Sequence, residues 1–300
     1  MSLKAVLGKD SHDSSISLNK YISDSGFCSR READKYIDQG RVTINDDVAI
    51  PGNRVKAGDD VCVDGERVGK KKAVVYLAYN KPVGVTSTTD RKDKTNIIDA
   101  IHFPQRIFPV GRLDKDSEGL ILLTNEGNIV NKILRAGNAH EKEYVVTVDK
   151  PVTHEFITAM QRGVRIIGET TLPCKVQPLG QFGFRITLVQ GLNRQIRRMC
   201  AAFDYKVKSL RRLRIMNIQL GNLKIGQHRL LSPEEIRDML KMIGESRSEV
   251  LPIQNGQSKA SSKISREETS KYFRRESTGR KEVKVKTFKD FREAGKKKKK

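Results

Sequence analysis

Apolar positions recur with helical spacing in some stretches of the chain and as short continuous runs in others, and the changes between these patterns mark out its elements. From Ile16, the residues Leu18, Tyr21 and Ile22 recur at helical spacing, and Gly26 follows as a natural stop. Ser29-Arg30-Arg31-Glu32 has the form of a capping box, predicting a helix with Ala33, Tyr36 and Ile37 on its apolar face and Gly40 at its end. Its other face carries Arg30, Arg31 and Lys35. Val42-Thr43-Ile44, Val48-Ala49-Ile50 and Asp60-Val61-Cys62-Val63-Asp64 predict short strands joined by turns. The polar, basic stretch Glu66–Ala73 reads as a linker.

A second patterned region begins with the apolar run Val74–Tyr79. Arg106–Val110, Leu120–Leu123 and Phe184–Val189 read as further strands, a basic helix starts at Asn193, and a strand-like run lies near Arg214–Ile218. Ser232-Pro233-Glu234-Glu235 opens a last helix, with Ile236, Met239, Leu240 and Ile243 on its apolar face. Strands outnumber helices and alternate with them irregularly. The expected fold class is therefore α+β, with a small N-terminal domain at 16–68 and a second domain at 74–244 built on a mostly antiparallel mixed β-sheet flanked by helices. The length of 300 residues allows about two domains, each with its own core. Residues 1 to 15 read as a loose polar arm.

Beyond Ser246 the pattern disappears, and 18 Lys or Arg stand against 7 Asp or Glu. A disordered basic C-terminal tail is expected over 246–300, either attracting phosphates non-specifically or simply solubilising the chain. The whole chain carries a formal +22, which points to a polyanionic partner, nucleic acid or an anionic membrane surface. No apolar run approaches the roughly 18 residues of a spanning helix, and the first residues lack the apolar core of a secretory signal, so a cytoplasmic protein is expected. Cys28, Cys62, Cys174 and Cys200 are scattered, as are the five histidines. Four reduced, mostly buried thiols are expected, with no metal site, and no ligand cluster or phosphate-cradling Gly loop for a cofactor.

The stretch with the clearest chemistry lies between the second domain's apolar runs. Gly111-Arg112-Leu113-Asp114-Lys115-Asp116-Ser117-Glu118-Gly119-Leu120 places three acids and two bases beside a core. A carboxylate there stays ionised only if cations or donors face it, and such sites are functional more often than a surface acid is. A charged β-turn bent by Gly111 and Gly119 is the plain alternative.

GRLDKDSEGL resembles the signature of pseudouridine synthases. Asn80-Lys81-Pro82-Val83-Gly84, Lys142-Glu143-Tyr144 and Gly191-Leu192-Asn193-Arg194-Gln195-Ile196-Arg197-Arg198-Met199 resemble three further motifs of that family, in the same order. The helical and strand-rich start is similar to the alpha-L RNA-binding module, and the arrangement resembles the RsuA group. Leu192 stands where many relatives carry Arg, and with the KEYVVTV stretch it points to one branch, whose substrate is large-subunit ribosomal RNA.

The resemblance implies an isomerase that needs no cofactor. It places the catalytic aspartate at Asp114, a stacking face and a candidate late proton donor at Tyr144, and at Arg197 the arginine that pairs with the catalytic carboxylate. Arg194 is the competing candidate for that pairing, and otherwise an RNA contact together with Arg112, Leu113, Lys115, Gln195, Ile196 and Arg198. Lys81 and Pro82 are implied to be structural. Lys20, Arg30, Arg31, Lys35 and Arg41 would form a phosphate-facing surface on the N-terminal module, though a solvated helix face has the same composition. The partner implied is ribosomal RNA, bound by a monomer. Two other readings remain open at this point. One is a glycoside-cleaving enzyme pairing Asp114 with Asp116 or Glu118; the other is a non-catalytic RNA-binding or ribosome-assembly factor.

Overall fold

The computed structural model describes residues 15–69, 73–135, 137 and 139–244. The expected arm before Ser15 and the expected tail at 246–300 lie outside the described residues. β1 (Ile16–Ser17) leads into α1 (Leu18–Asp24) and then α2 (Arg30–Asp38). The capping box forms as its residues require. Ser29 Oγ accepts from the Glu32 amide at 3.2 Å, and the Glu32 carboxylate accepts from the Ser29 amide at 2.8 Å. Those bonds hold the Glu32 carboxyl below its ordinary range.

β2 (Val42–Ile44), β3 (Asp47–Val48), β4 (Arg54–Val55), β5 (Val61–Val63) and β6 (Glu66–Arg67) complete this region. β3-β2-β5-β6 form one sheet, and β1 pairs with β4. Leu18, Ile22, Ala33, Ile37, Val42, Val63 and Val68 share one core. The linker therefore begins later than the polarity of Glu66-Arg67 indicates. Those two residues form an exposed edge strand, and Val68 behind them is buried. Ser15 is not loose either: its hydroxyl and carbonyl both accept from Arg54, at 2.6 Å.

The second region runs β7 (Tyr76–Lys81), α3 (Ile97–Ile101), β8 (Phe108–Pro109), β9 (Glu118–Thr124), α4 (Asn128–Leu134) and β10 (Lys142–Val148). It continues with α5 (His154–Gln161), β11 (Arg165–Ile166), β12 (Glu169–Thr170), β13 (Lys175–Pro178), β14 (Gly183–Leu188) and α6 (Gln195–Ala201). β15 (Val207–Ile215), β16 (Ile218–Gln219), β17 (His228–Leu230) and α7 (Pro233–Gly244) close it. The main sheet has the order β13-β14-β10-β15-β9-β7-β17, with β16 on β15 and β8 on β9. Every pairing in it is antiparallel except β15 with β9.

Both faces of this sheet are covered, which explains why its central strands are continuous apolar runs and not alternating ones. Ile121 and Leu123 face a core with Val146, Phe156, Met160 and Phe184. Leu120 and Leu122 face a second core with Ile129 and Ile133 of α4 and Met239 and Ile243 of α7. The strand-like run near Arg214–Ile218 is in fact a hairpin: Met216, at φ +53, turns the chain between β15 and β16. The four cysteines are unbonded. Cys28 and Cys200 are buried, whereas Cys62 and Cys174 are only half-buried. Among the described residues no helix is long and apolar enough to cross a membrane.

Candidate active site

The loop 111–117 leads into β9 where β9 and β15 run parallel, and residues both near and distant in the chain anchor it. Ser87 Oγ donates to the Leu113 carbonyl at 2.7 Å and accepts from the Leu113 amide at 3.1 Å. The Ser117 amide donates to the Asp114 carbonyl at 3.0 Å, and the Gly84 amide to the Lys115 carbonyl at 2.8 Å. Gly119 must be glycine twice over. Its φ is +105, and a Cβ there would stand 2.3 Å from the Arg212 carbonyl oxygen.

These anchors present a half-buried Asp114 to a cavity of about 340 Å³. Opposite it lies the start of α6. Arg194 is the N-cap residue, in the left-handed region at φ 50, ψ 35. From there its guanidinium forks onto Asp116, Nη1 to Oδ1 at 3.1 Å and Nη2 to Oδ2 at 2.8 Å, while Nη1 also lies 3.5 Å from Asp114 Oδ2. Arg197, one turn on, passes beneath. Its Nη2 donates to the Asp116 carbonyl at 2.8 Å and to Ser117 Oγ at 3.1 Å, and its Nη1 to the Val207 carbonyl at 3.3 Å.

The pairing with Asp114 expected of Arg197 is thus made by Arg194. The physical reason is where α6 starts: Arg194 precedes the helix, so its side chain leaves the helical spiral and reaches the loop, whereas Arg197 is occupied by the Asp116 carbonyl and carboxylate and the Ser117 hydroxyl. Arg194 holds the Asp116 carboxyl below its usual range, and Asp116 in turn pushes Arg194 up.

Strand register supplies the cavity's floor. Lys142 and Tyr144 are two apart on β10 and so share a face, and Arg212 of β15 is the cross-strand partner of Tyr144. All three line the cavity. Lys142 is buried, its Nζ donating to the carbonyls of His140 at 3.0 Å and Val189 at 3.4 Å. Burial, helped by the Arg212 charge, pushes its ammonium down to about 8. Lys81 is fully buried nearby and donates to the carbonyls of Pro82 and Val85, both at 2.8 Å. Burial brings it, too, down to about 8, with Asp114, Asp116 and Glu118 pulling the other way.

Residues 75–202 match the RNA pseudouridylate synthase family, and residues 17–61 match the S4 domain. The dual-specificity RNA pseudouridine synthase RluF of Escherichia coli (strain K12) is 54% identical over 242 residues, covering 80% of this chain and 83% of that protein. The chain belongs to the RNA pseudouridine synthases. Within them it falls in the RsuA group, with RluF. Ribosomal large subunit pseudouridine synthase B of Bacillus subtilis (strain 168) is 35% identical, over 73% of this chain and 93% of that protein. A crystal structure of a pseudouridylate synthase matches with a TM-score of 0.55 at 29% identity, covering 75% of this chain and 99% of that one. This pseudouridine synthase accordingly isomerises uridine to pseudouridine in RNA.

Of the other residues expected to contact RNA in this synthase, Arg112, Leu113, Gln195 and Ile196 line the same cavity. Leu113 and Ile196 do so as buried core residues, and Gln195 is buried with its side-chain oxygen accepting from the Leu192 amide at 3.0 Å. Lys115 and Arg198 are exposed and outside the lining, and Arg198 Nε donates to the Asn193 carbonyl at 3.0 Å. On the S4 domain Arg30, Arg31 and Lys35 lie exposed on α2. Lys20 is ion-paired with Asp24, and Arg41 forks onto Asp64. Sequence reasoning missed Asp116 as the anchor of Arg194, and missed Arg212 altogether.

Proposed function

We propose that this synthase draws a uridine out of folded RNA into the cavity beside Asp114, which serves as the one catalytic carboxylate. The convergence of Asp114, Tyr144 and Arg194 on one cavity carries the reading. Arg194 Nη1, 3.5 Å from Asp114 Oδ2, fixes the direction of that carboxylate. Tyr144 offers a stacking face, which with hydrogen bonds in the cavity offsets the few kcal/mol that unstacking a base costs. Asp114 then acts on the sugar or the base as nucleophile, or removes a sugar proton. The bond from ribose C1′ to uracil N1 breaks, C1′ joins C5, and the proton lost from C5 is balanced by one gained at N1.

Large-subunit ribosomal RNA is the proposed substrate, as the name of the Bacillus subtilis relative states for that protein. The word dual-specificity in the RluF name extends the proposal to a second class of RNA. Arg30, Arg31 and Lys35 on α2 are proposed to hold phosphates outside the target site. Cleavage by a carboxylate pair is disfavoured because Asp116, the nearest second acid, is tied to both Arg194 and Arg197. The test is to incubate the purified protein with large-subunit ribosomal RNA and, separately, with transfer RNA, mapping pseudouridine chemically and assaying free uracil. Pseudouridine at discrete positions without free uracil is expected; release of uracil contradicts the isomerase reading.

A further inference from the structure

The floor of the cavity holds more positive charge than positioning Asp114 requires. Arg212 is buried, only 4% exposed, at the centre of the main sheet. Its Nε donates to the Leu120 carbonyl at 2.6 Å, but its Nη2 is buried with no hydrogen-bond partner. A structural pin needs only that one bond. A buried cationic donor left unpaired costs free energy unless a ligand completes it. The guanidinium lies 5.9 Å from the centre of the Tyr144 ring, the face on which the base is proposed to stack. Lys142 is on the same face of the sheet, and its Nζ spends two of its three protons on carbonyl groups.

The chemistry of the reaction says what these cations meet. When the C1′–N1 bond breaks, its electron pair stays on the ring, and the uracil anion carries that charge on N1 and on its carbonyl oxygens. If Asp114 instead adds to C6 of the base, the resulting enolate places the charge on O4. Every route open to Asp114 therefore leads through negative charge on the ring's carbonyl oxygens. Donors fixed in a water-poor site and aimed at such charge are among the strongest contributors to catalysis.

We propose that Arg212 is a further catalytic residue: with Lys142 beside it, it hydrogen-bonds a carbonyl oxygen of the flipped uracil and stabilises the ring anion formed in the isomerisation. The charge is discharged when C5 bonds to C1′ and gives up its proton while N1 takes one up, so neither cation is consumed. This inference rests on the flipped-base reading of the cavity. It differs from a general phosphate contact, which would serve binding and not the chemical step.

The experiment measures single-turnover rates and RNA affinity for the wild type, Arg212→Gln, Arg212→Lys and Asp114→Asn on one RNA carrying either uridine or 5-fluorouridine at the mapped site. Fluorine withdraws charge from the ring, so the fluorinated anion needs less help. Arg212→Gln should lose about 100-fold or more in rate on uridine, with affinity within about two-fold of wild type. That loss should shrink at least several-fold on 5-fluorouridine, measured as consumption of the nucleoside. Arg212→Lys, which keeps a cation in the core if Gln does not fold, should show a smaller loss with the same dependence on fluorine. Equal losses on both substrates, a loss of affinity with the rate retained, or no loss at all each overturn the proposal. Asp114→Asn separates the two readings: if it stays active the site assignment fails, and if it is dead while Arg212→Gln turns over normally only this inference fails.

Discussion

Gly119→Ala should be strongly destabilising, and its cost follows from two separable causes. At φ +105 any side chain strains the backbone, by about 1–3 kcal/mol. The new methyl group would also stand 2.3 Å from the Arg212 carbonyl oxygen and 2.7 Å from its amide nitrogen, both backbone atoms in the next strand. Overpacking of that kind costs about 1–3 kcal/mol more. The expected total is about 2–6 kcal/mol, a large fraction of a typical domain's stability. Gly226→Ala isolates the first cause, because Gly226 has φ +78 and nothing within 4 Å of its built Cβ. Urea denaturation of both variants, with slopes compared to wild type, should show Gly119→Ala the less stable by about 1–3 kcal/mol. Equal stabilities would mean that the parallel contact between β9 and β15 is not the tight junction described. Because that junction carries both Asp114 and Arg212, any folded Gly119→Ala protein should also be slow.

Other expectations concern charge. Lys142 titrates near 8 when folded against an ordinary 10.5, so between those values the unfolded chain binds more protons and stability from this group rises with pH; below about 8 the penalty is constant. Denaturation of wild type and Lys142→Met at pH 7.5 and 9.5 should show the wild type gaining more, and identical gains would contradict the burial of that ammonium. The Asp116–Arg194 pair is nearly half exposed, so Asp116→Asn should cost less than about 1 kcal/mol of stability, while slowing turnover because Arg194 loses its anchor. An unchanged rate would remove Asp116 from the account. Replacing Arg30, Arg31 and Lys35 together by Gln should weaken RNA binding and flatten its salt dependence by about 0.7–0.9 for each phosphate no longer neutralised, whereas Lys20→Gln should do little; titrations at several salt concentrations check this, and the opposite order would contradict it.

Features governed by neighbours a few residues away were legible in the chain. The capping boxes at Ser29 and Ser232 formed from their own four residues, as Glu235 accepting from the Ser232 amide at 2.9 Å shows for the second. The α+β class followed from strands that outnumber the helices and alternate irregularly with them, and the charged loop stood out because its acids lie between apolar runs. What escaped depends on contacts between distant residues or on backbone conformation that composition does not encode. Met216 turns the chain at positive φ without a glycine to announce it, so a hairpin read as one strand. Arg194 sits outside the helix that its spacing places it in, so it, and not Arg197, lies 3.5 Å from Asp114. Arg41 meets Asp64 across 23 residues, an ion pair that no local pattern announces. Lys142 and Arg212 look like exposed strand residues until the register of β10 and β15 buries them on one face.

A single carboxylate, held in place by Arg194, is proposed to perform the isomerisation. Asp114→Asn removes its charge and almost no volume. Wild type and variant should bind the same ribosomal RNA fragment with affinities within about two-fold, a spread worth about 0.4 kcal/mol. Pseudouridine should appear at the mapped position only with the wild type. Pseudouridine formed by Asp114→Asn at the wild-type rate would contradict the account.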